Sequence, residues 1–214
     1  MTEDIPLARF STATVSDALD KLGRAGSMLG VAPLVDSARL AGRAFTVRYV
    51  AAGTPAGTVG DYLDDVAPGE VVVLDNGSRT DCTVWGDILT SMAADRGVSG
   101  TVIDGVNRDV ERALDLQYPI FSRGRFMRTG KDRVEVADVG KPVTIGGVQV
   151  RAGDAIIGDA DGVLVVAREI EDEVLEICES IHSRESAILE AVLAGSSLAE
   201  ARSAQGYHVL QRPN

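Results

Sequence analysis

Residues 85–111, "WGDILTSMAADRGVSGTVIDGVNRDVE", decide the fold because a helix, a turn and a buried strand follow one another within them. Apolar residues recur there at the spacing of one helical face, namely Ile88, Leu89, Met92 and Ala93. Gly97 is typical of a helix end, and the apolar run at 101–103 lies between glycines and predicts a short buried strand. The segment therefore predicts a helix that leads directly into a strand.

The neighbouring segments continue this alternation of helices and strands. "TVSDALDKLG" (14–23) predicts a helix that opens with Thr14 and Asp17 in a capping-box-like pattern, and we interpret Asp17 as a helix-start acid. The same reasoning predicts short helices at 58–70 and 110–117, and strands at 41–51, 71–74 and 118–124. Strands that alternate with helices favour a parallel βαβ arrangement.

The second half of the chain has a different pattern. Residues 133–167 form short alternating runs separated by Gly-Gly, Gly-Asp and Asp-Gly, which are typical of tight hairpins and predict mainly antiparallel strands. Residues 168–195 then predict a long amphipathic helix. We therefore predict one α/β domain over residues 1–214, with a mixed central sheet, outer helices and a C-terminal helical extension from about residue 168.

The composition argues against several classes of function. The 32 acidic residues outnumber the 21 basic ones, and a net charge of −11 is unsuited to binding nucleic acid over a broad surface. No apolar run reaches the ~18 residues of a membrane-spanning helix, and the start of the chain does not resemble a signal peptide. Cys82 and Cys178 lie far apart, and the two histidines are His182 and His208. We therefore expect a cytoplasmic protein with reduced thiols and without a histidine-rich zinc site or a Ser-His-Asp triad.

Charged residues lie where the predicted strands end. Twenty residues, 88–107, separate Asp87 from the adjacent Arg108 and Asp109. A helix that runs out and a strand that returns would bring these ends to one edge of the sheet, where ligands gather in open α/β folds. The helix start and Arg108 suit a carboxylate, and the two aspartates suit Mg²⁺ or Mn²⁺.

A structural interpretation fits the same residues. An aspartate at a helix start is usually a cap, and an adjacent Arg-Asp is usually a solvated pair. Asp104, Asp159 and Asp161 each flank a glycine and are typical of turns. The spacing alone does not choose between a structural pair and a site that holds an anion beside a metal.

Several longer sequence segments, in the order in which they occur, resemble those of a known family. These are "STATVSDALDKLG", "LAGRAFTV", "VVVLDNG", the stretch quoted at the outset, "YPIFSRG" and "VRAGDAIIGDADGVLVV". Together with the spacing of Asp87, Arg108 and Asp109, they resemble the class II 4-hydroxy-4-methyl-2-oxoglutarate/4-carboxy-4-hydroxy-2-oxoadipate aldolases. That family belongs to the superfamily of the regulator of ribonuclease activity A (RraA).

The resemblance implies a fold, an assembly and a site. The fold would be an RraA-like αββα sandwich, assembled as a homotrimer or a dimer of trimers with sites between subunits. Asp109 would bind the metal, Asp87 would hold a water on it, and Arg108 would hold the pyruvate portion of the substrate. The start of the helix at Gly86, with the amides of Ile88 and Leu89, would complete the substrate site. Glu185 of a neighbouring subunit is the candidate for approaching the metal.

The reaction implied is cleavage of a 4-hydroxy-2-oxo acid to pyruvate and a second oxo compound, with oxaloacetate decarboxylation as a side activity. A lysine Schiff base is the other route to such chemistry, but Lys21, Lys131 and Lys141 lie in helix, loop or turn-like surroundings. A divalent metal, Mg²⁺ before Mn²⁺, is therefore the expected cofactor. The alternative is a non-catalytic regulator of a ribonuclease on the same scaffold, which would not need both aspartates.

Two features depart from the family pattern. Many members carry an acid three positions after the metal-binding aspartate, whereas this chain has Arg112 there and Glu111 one position earlier. Residues 124–136, "GRFMRTGKDRVEV", are also unusually rich in arginine. The first departure bears on the outer shell of the metal or on how the distal part of the substrate is bound. The second indicates a preference for a substrate other than the intermediates of aromatic degradation.

Overall fold

The computed structural model describes residues 4–206 and has a mixed sheet at its centre. The helices are α1 (Thr12–Lys21), α2 (Asp87–Asp95), α3 (Val110–Asp115), α4 (Glu171–Leu193) and α5 (Leu198–Ala204), with 3₁₀ turns at Pro6–Arg9, Asp61–Asp65 and Arg168–Ile170. The strands are β1 (Ala32–Pro33), β2 (Leu40–Ala51), β3 (Glu70–Thr83), β4 (Gly100–Asn107), β5 (Ile120–Arg125), β6 (Val134–Val139), β7 (Val143–Ile145), β8 (Val148–Val150), β9 (Ala155–Asp159) and β10 (Gly162–Val166).

The middle of the sheet is parallel, as the alternating pattern predicts. Strands β2, β3, β4 and β5 lie side by side and parallel, and α2 and α3 form the crossovers on either side of β4. Every residue of β4 is buried, because both faces of this strand are covered. The helix and strand predicted from residues 85–111 are therefore confirmed.

The remaining strands are antiparallel, which confirms the hairpin signals. The long strand β2 pairs with β9 along its first half and with β6 along its second half. Strand β10 returns beside β9, and β7 and β8 form a separate two-stranded sheet. The central sheet is therefore mixed.

Alternating side chains divide the interior into layers. On one face of the parallel strands, Leu74 and Ile103 share a buried cluster with Ala93 of α2 and Ala113 of α3. On the other face, residues of β3 and β4 share a second cluster with residues of the opposing strands: Val71, Val73, Val102, Ile156 and Val165. Each fully buried Val, Leu or Ile stabilises the fold by about 1.5–3 kcal/mol.

The far side of β9 and β10 carries the second helical layer. Ile157 and Leu164 are buried there with Val15 of α1 and Val174 of α4. The layers thus run from α2 and α3 through the parallel strands and the β9–β10 hairpin to α1 and α4. This order is an αββα sandwich, and the predicted fold class is confirmed.

Several boundaries differ from the prediction. Helix α1 is capped by Ser11, whose side chain accepts the N–H of Thr14, so Thr14 and Asp17 lie inside the helix and the predicted start was wrong. Strand β3 continues through the expected stop at Asn76–Gly77 as far as Thr83. It does so because register shifts against β4 absorb the additional residues, and Gly77 has a positive φ of 59°. The predicted helix at 58–70 reduces to the 3₁₀ turn at Asp61–Asp65.

Asp104 is the clearest error among the predicted turn residues. It lies within β4, is buried, and forms an ion pair with Arg123 of β5. The same carboxylate accepts the N–H of Gly146 at 3.1 Å and the hydroxyl of Ser78 at 3.0 Å. Asp104 therefore joins the sheet to the β7–β8 hairpin instead of shaping a turn.

Asp159 and Asp161 do lie at the β9–β10 turn, where Asp161 N–H donates to the Asp159 carboxylate. Asp159 also anchors the start of α1, since it accepts the N–H of Thr12 at 2.9 Å and its hydroxyl at 2.6 Å. The Asp159 carboxylate thus has a role in tertiary structure that the turn pattern did not reveal.

The other groups singled out in the sequence are the two cysteines and the two histidines. Cys82 and Cys178 are free and buried, and burial raises the pKa of the Cys178 thiol to about 12. His182 packs edge-on against Phe10, with ring centroids 5.8 Å apart, and His208 lies outside the described residues. Between residues 4 and 206, no helix is both long and apolar enough to cross a membrane.

Candidate active site

The site begins where β3 leads into α2, and buried contacts fix this junction. The hydroxyl of Thr83 lies 2.8 Å from the carbonyl oxygen of Trp85 and 2.9 Å from that of Val106. The buried indole of Trp85 donates to the hydroxyl of Thr90 at 2.9 Å and stacks on Tyr118. The start of α2 is therefore held against the ends of β3 and β4.

The predicted charged residues meet at this junction. The N–H of Asp87 donates to Oδ2 of Asp109 at 3.2 Å, and Nε of Arg108 lies 3.2 Å from the same oxygen. The N–H of Arg108 donates to the carbonyl oxygen of Trp85 at 3.1 Å. Helix α2 and strand β4 are therefore the spacer that brings Asp87 to Arg108 and Asp109.

Gly86 permits this close approach. A Cβ at this position would lie 2.7 Å from Oδ2 of Asp109 and 3.2 Å from Nε of Arg108. The backbone of Gly86 is extended, so conformational freedom is not the reason for a glycine here. A side chain at position 86 would displace the carboxylate or the guanidinium.

The backbone at Asp109 is also unusual. Its φ of 55° and ψ of 43° lie in the left-handed region, which few residues other than glycine, asparagine and aspartate adopt. Asp109 precedes the first residue of α3, although its side chain makes no capping hydrogen bond there. The common interpretation of an aspartate at a helix start therefore does not account for Asp109.

Asp87 behaves differently. Its Oδ1 accepts the N–H of Ile88 at 2.8 Å. The Asp87 carboxylate is therefore the hydrogen-bond partner of one of the amides expected to bind the substrate. The first N–H groups of a helix have no partner within the helix, and in α2 those of Asp87 and Ile88 donate to the carboxylates of Asp109 and Asp87. A bound carboxylate would compete with Asp87 for the Ile88 amide.

A cavity of about 230 Å³ lies over this junction. All five residues predicted to bind the substrate line it: Gly86, Asp87, Ile88, Leu89 and Arg108. Further lining residues were not among those predicted to bind the substrate: Val59, Gly60, Thr83, Val84, Trp85, Thr129, Gly130 and Lys131. The arginine-rich pattern of residues 124–136 was the signal that pointed to one of these segments.

Lys131 is the cation among these additional residues. Its side chain is exposed, whereas a lysine that forms an imine is typically desolvated or lies beside another cation. Lys131 can therefore offer a positive charge to an anion in the cavity without serving as a nucleophile.

Arg112 joins the two helices that meet at the site. Its Nε donates to the hydroxyl of Ser91 at 2.8 Å, and that hydroxyl donates to the carbonyl oxygen of Asp87 at 2.8 Å. Arg112 thus links α3 to the first turn of α2, in the position where many family members carry an acid. Glu111 is exposed.

Within one chain, Glu185 lies in a different helical layer from this site. It is half-buried on α4, which packs against α1 in the second helical layer. The carboxylate is not among the cavity-lining residues of the described part of the chain. Its approach from a neighbouring subunit stays a prediction.

The side chains that could hold a metal ion at this junction are the carboxylates of Asp87 and Asp109. Residues 4–206 contain no group of three or more His, Cys, Asp or Glu side chains that could hold one. A zinc site with three or four ligands from one chain is therefore not present within residues 4–206. Mg²⁺ keeps several waters and binds through one or two carboxylates, so Asp109 with Asp87 nearby fits a hydrated Mg²⁺.

The model of the RraA-like family, described as Aldolase/RraA, matches residues 12–165. The chain belongs to the RraA-like family. The matched region includes the whole junction from Gly86 to Asp109, whereas Glu185 lies beyond it.

Relatives within the RraA-like family carry different names. Protein DlpA of Legionella pneumophila is 38% identical over 92% of this chain, but the match covers 32% of DlpA, so the chain spans about a third of that relative's length. A protein of Halalkalibacterium halodurans named "Putative 4-hydroxy-4-methyl-2-oxoglutarate aldolase" is 35% identical, with 86% of this chain and 87% of that protein covered.

A solved structure supports the RraA-like fold. Streptomyces coelicolor RraAS2, described as an unusual member of the RNase ES inhibitor RraA protein family, matches with a TM-score of 0.77 and 27% identity. The match covers 87% of this chain and 96% of RraAS2. The chain is thus similar both to a protein named as an aldolase and to one named with a ribonuclease inhibitor family.

Proposed function

We propose that this protein is a divalent-metal-dependent lyase that cleaves 4-hydroxy-2-oxo acids, such as 4-hydroxy-4-methyl-2-oxoglutarate, to pyruvate and a second oxo compound. The observation that carries the proposal is the meeting of Asp87, Arg108 and Asp109 at the start of α2, beneath a cavity. The aldolase name of a relative that is 35% identical supports the class of reaction.

Arg108 and the start of α2 would bind the 2-oxo acid end of the substrate. A guanidinium offers two parallel N–H groups to a carboxylate, and the first turn of a helix adds amide donors and a partial positive charge. Both groups lie at the cavity. The substrate would thereby be held with its carbonyl close to Arg108 and its distal part toward Lys131.

Asp109, with Asp87 nearby, would hold a divalent cation, Mg²⁺ being favoured over Mn²⁺ as the harder ion. When bound, this cation would supply Lewis-acid stabilisation of the negative charge that develops on the substrate's 2-oxo oxygen. The hydrogen bond from the N–H of Asp87 and the ion pair with Arg108 both involve Oδ2 of Asp109, so its second oxygen is available as a ligand.

The bond cleavage balances without a further reactant. The 4-hydroxyl loses its proton, the bond between C3 and C4 breaks, and its electron pair forms the enolate of pyruvate, which is then protonated at C3. A water hydrogen-bonded to Asp87 would accept the hydroxyl proton. Oxaloacetate would give the same enolate through loss of CO₂, so decarboxylation of oxaloacetate is an expected second activity.

The assembly proposed is a homotrimer or a dimer of trimers. Ile88 lines the cavity but is 78% exposed within one chain, and a neighbouring subunit would cover such an apolar side chain. The mass of the protein in solution, measured by light scattering after gel filtration, tests this assembly. A monomer would contradict it.

The function is tested by pyruvate release from a panel of 2-oxo acids, with Mg²⁺, with EDTA, and after treatment with borohydride. We expect release that requires the metal and survives borohydride. Inactivation by borohydride together with substrate would instead identify a lysine imine, with Lys131 as the residue to examine.

A second candidate is a non-catalytic protein-binding regulator, favoured by the similarity to RraAS2. A regulator would not need both aspartates beside Arg108. Absence of pyruvate release from every member of the panel, together with inhibition of a ribonuclease by the purified protein, would favour this candidate over the lyase.

A further inference from the structure

Part of the cavity wall comes from the end of an exposed segment, residues 52–60, with the sequence "AGTPAGTVG". Residues 53–58 are exposed, so burial of apolar side chains contributes little to fixing this segment. Its last two residues, Val59 and Gly60, nevertheless line the cavity. The segment must therefore be held by polar contacts if the wall is to keep its shape.

One carboxylate oxygen makes two of these contacts. Oε2 of Glu135, on β6, accepts the N–H of Gly57 at 2.7 Å and that of Gly53 at 3.0 Å. A Cβ at Gly57 would lie 3.2 Å from this oxygen, so the glycine allows the close approach. The N–H groups of Gly53 and Gly57 hold the pKa of the Glu135 carboxyl below its usual range.

Neighbouring contacts carry this restraint to the cavity. The N–H of Val136 donates to the carbonyl oxygen of Thr58 at 3.0 Å. The hydroxyl of Tyr49 donates to the carbonyl oxygen of Val59 at 2.6 Å. A Cβ at Gly60 would lie 2.8 Å from Cδ2 of Leu89, so the end of the segment packs directly against the first turn of α2.

We propose that Glu135 is a positioning residue that holds segment 52–60 as one wall of the substrate cavity. It acts on the ligand through Val59, Gly60 and Leu89 and does not touch the reacting atoms. This inference rests on the proposed function, because it assumes that the ligand of this cavity is a 2-oxo acid.

The test compares two substitutions at Glu135 with a control on the same strand. Glu135→Leu removes the acceptor, whereas Glu135→Gln can place its amide oxygen where Oε2 lies and keep both hydrogen bonds without the charge. Asp138→Asn is the control, since Asp138 is also on β6 but pairs with Arg48 of β2, away from the segment. Thermal unfolding establishes that each variant is folded.

Three measurements are made on the full chain with Mg²⁺ present. Hydrogen exchange reports on the amides of residues 53–60, steady-state kinetics give KM and kcat for oxaloacetate, and fluorescence of Trp85 gives the Kd for pyruvate. Trp85 suits this purpose because it is the single tryptophan and it lines the cavity. The fluorescence measurement does not depend on turnover.

We expect Glu135→Leu to speed exchange at residues 53–60 and to raise KM and the pyruvate Kd by about three- to tenfold, with kcat changed less than about twofold. Glu135→Gln should lie between wild type and Glu135→Leu, and Asp138→Asn should match wild type. Unchanged exchange in Glu135→Leu, or faster exchange with unchanged Kd and KM, would overturn the inference. Wild-type protein that binds pyruvate without turnover would refute the lyase proposal while the Kd series still decides the role of Glu135.

Discussion

Asp87 and Asp109 are joined by a hydrogen bond of 3.2 Å from the backbone N–H of the former to Oδ2 of the latter. This contact fixes the start of α2 against the residue that precedes α3. Since Arg108 approaches the same oxygen, one carboxylate orients an amide and a guanidinium toward one side of the junction.

Arg108 should govern the binding of the 2-oxo acid. Arg108→Lys keeps a positive charge but loses the planar pair of donors, so we expect KM for oxaloacetate to rise by about tenfold in Arg108→Lys and about a hundredfold in Arg108→Ala. The side chain is 38% exposed, so both variants should unfold near the wild-type temperature. A large loss of stability with unchanged KM would instead support the structural ion pair.

Gly86 should tolerate no side chain. Because its backbone is extended, Gly86→Ala imposes no conformational strain, and its effect comes from the contact of Cβ with Asp109 and Arg108. We expect kcat/KM to fall by about a hundredfold or more, since displacement of catalytic groups by about 1 Å has effects of that size. Circular dichroism should show an unchanged fold. Activity within twofold of wild type would mean that the geometry at Asp109 is unimportant.

Arg112 and Ser91 should act as a pair. Arg112→Ala and Ser91→Ala each break the link between α3 and α2, and we expect each to lower the free energy of unfolding by about 0.5–1.5 kcal/mol. The double variant should lower the free energy of unfolding by less than the sum of the two single variants, because the second substitution removes a contact that is already lost. If urea unfolding shows that the two single losses of unfolding free energy add up to the loss in the double variant, the hydrogen bond between Arg112 and Ser91 contributes nothing to stability.

The segment that decides the fold was predictable because its information is local. Residues 85–111 carry helical periodicity, a glycine stop and an apolar strand in immediate succession, and the structure reproduces each of them. The extension of β3 was not predictable, since Asn76–Gly77 is a turn signal that the register shifts against β4 override. Asp104 was misassigned for a related reason, because its partner Arg123 belongs to a different strand.

The candidate site was predictable on one side of the cavity. Asp87, Arg108 and Asp109 were found from the spacing and the family resemblance, and the structure brings them together. Residues 59–60 and 129–131, which also line the cavity, were not among the predicted site residues, since their meeting depends on tertiary contacts between segments about 70 residues apart that carry no shared periodicity. The position of Glu185 depends on a second subunit, which one sequence does not place.

Asp159 should make the stability of the fold depend on pH. Burial alone would raise the pKa of its carboxyl, but the hydrogen bonds from Thr12 and the N–H of Asp161 outweigh burial, and the pKa is lowered. A lowered pKa in the folded state means that the stabilisation is complete above the unfolded value of about 3.9 and is lost as pH falls through the folded value.

Asp159→Asn should therefore lower the free energy of unfolding by about 1–3 kcal/mol at pH 7, because charged hydrogen bonds to the start of α1 become neutral ones. The difference between wild type and variant should begin to shrink below about pH 4, where the carboxyl of the unfolded wild-type chain takes up its proton, and should disappear as pH falls through the lowered pKa of the folded state. Urea unfolding between pH 7 and pH 3 measures this difference. A difference that stays constant over the whole range would exclude the Asp159 carboxylate as its source.

The most direct test of the metal-dependent lyase is pyruvate release from 4-hydroxy-4-methyl-2-oxoglutarate by wild type and by Asp109→Asn, each with Mg²⁺ and with EDTA. Asparagine keeps an oxygen that can accept the N–H of Asp87 but loses the charge that a divalent cation needs. We predict Mg²⁺-dependent release by wild type and a loss of about a thousandfold or more in EDTA or in Asp109→Asn, since several kcal/mol of charge stabilisation disappears. Undiminished release by Asp109→Asn, or release by wild type that EDTA does not affect, would contradict the account.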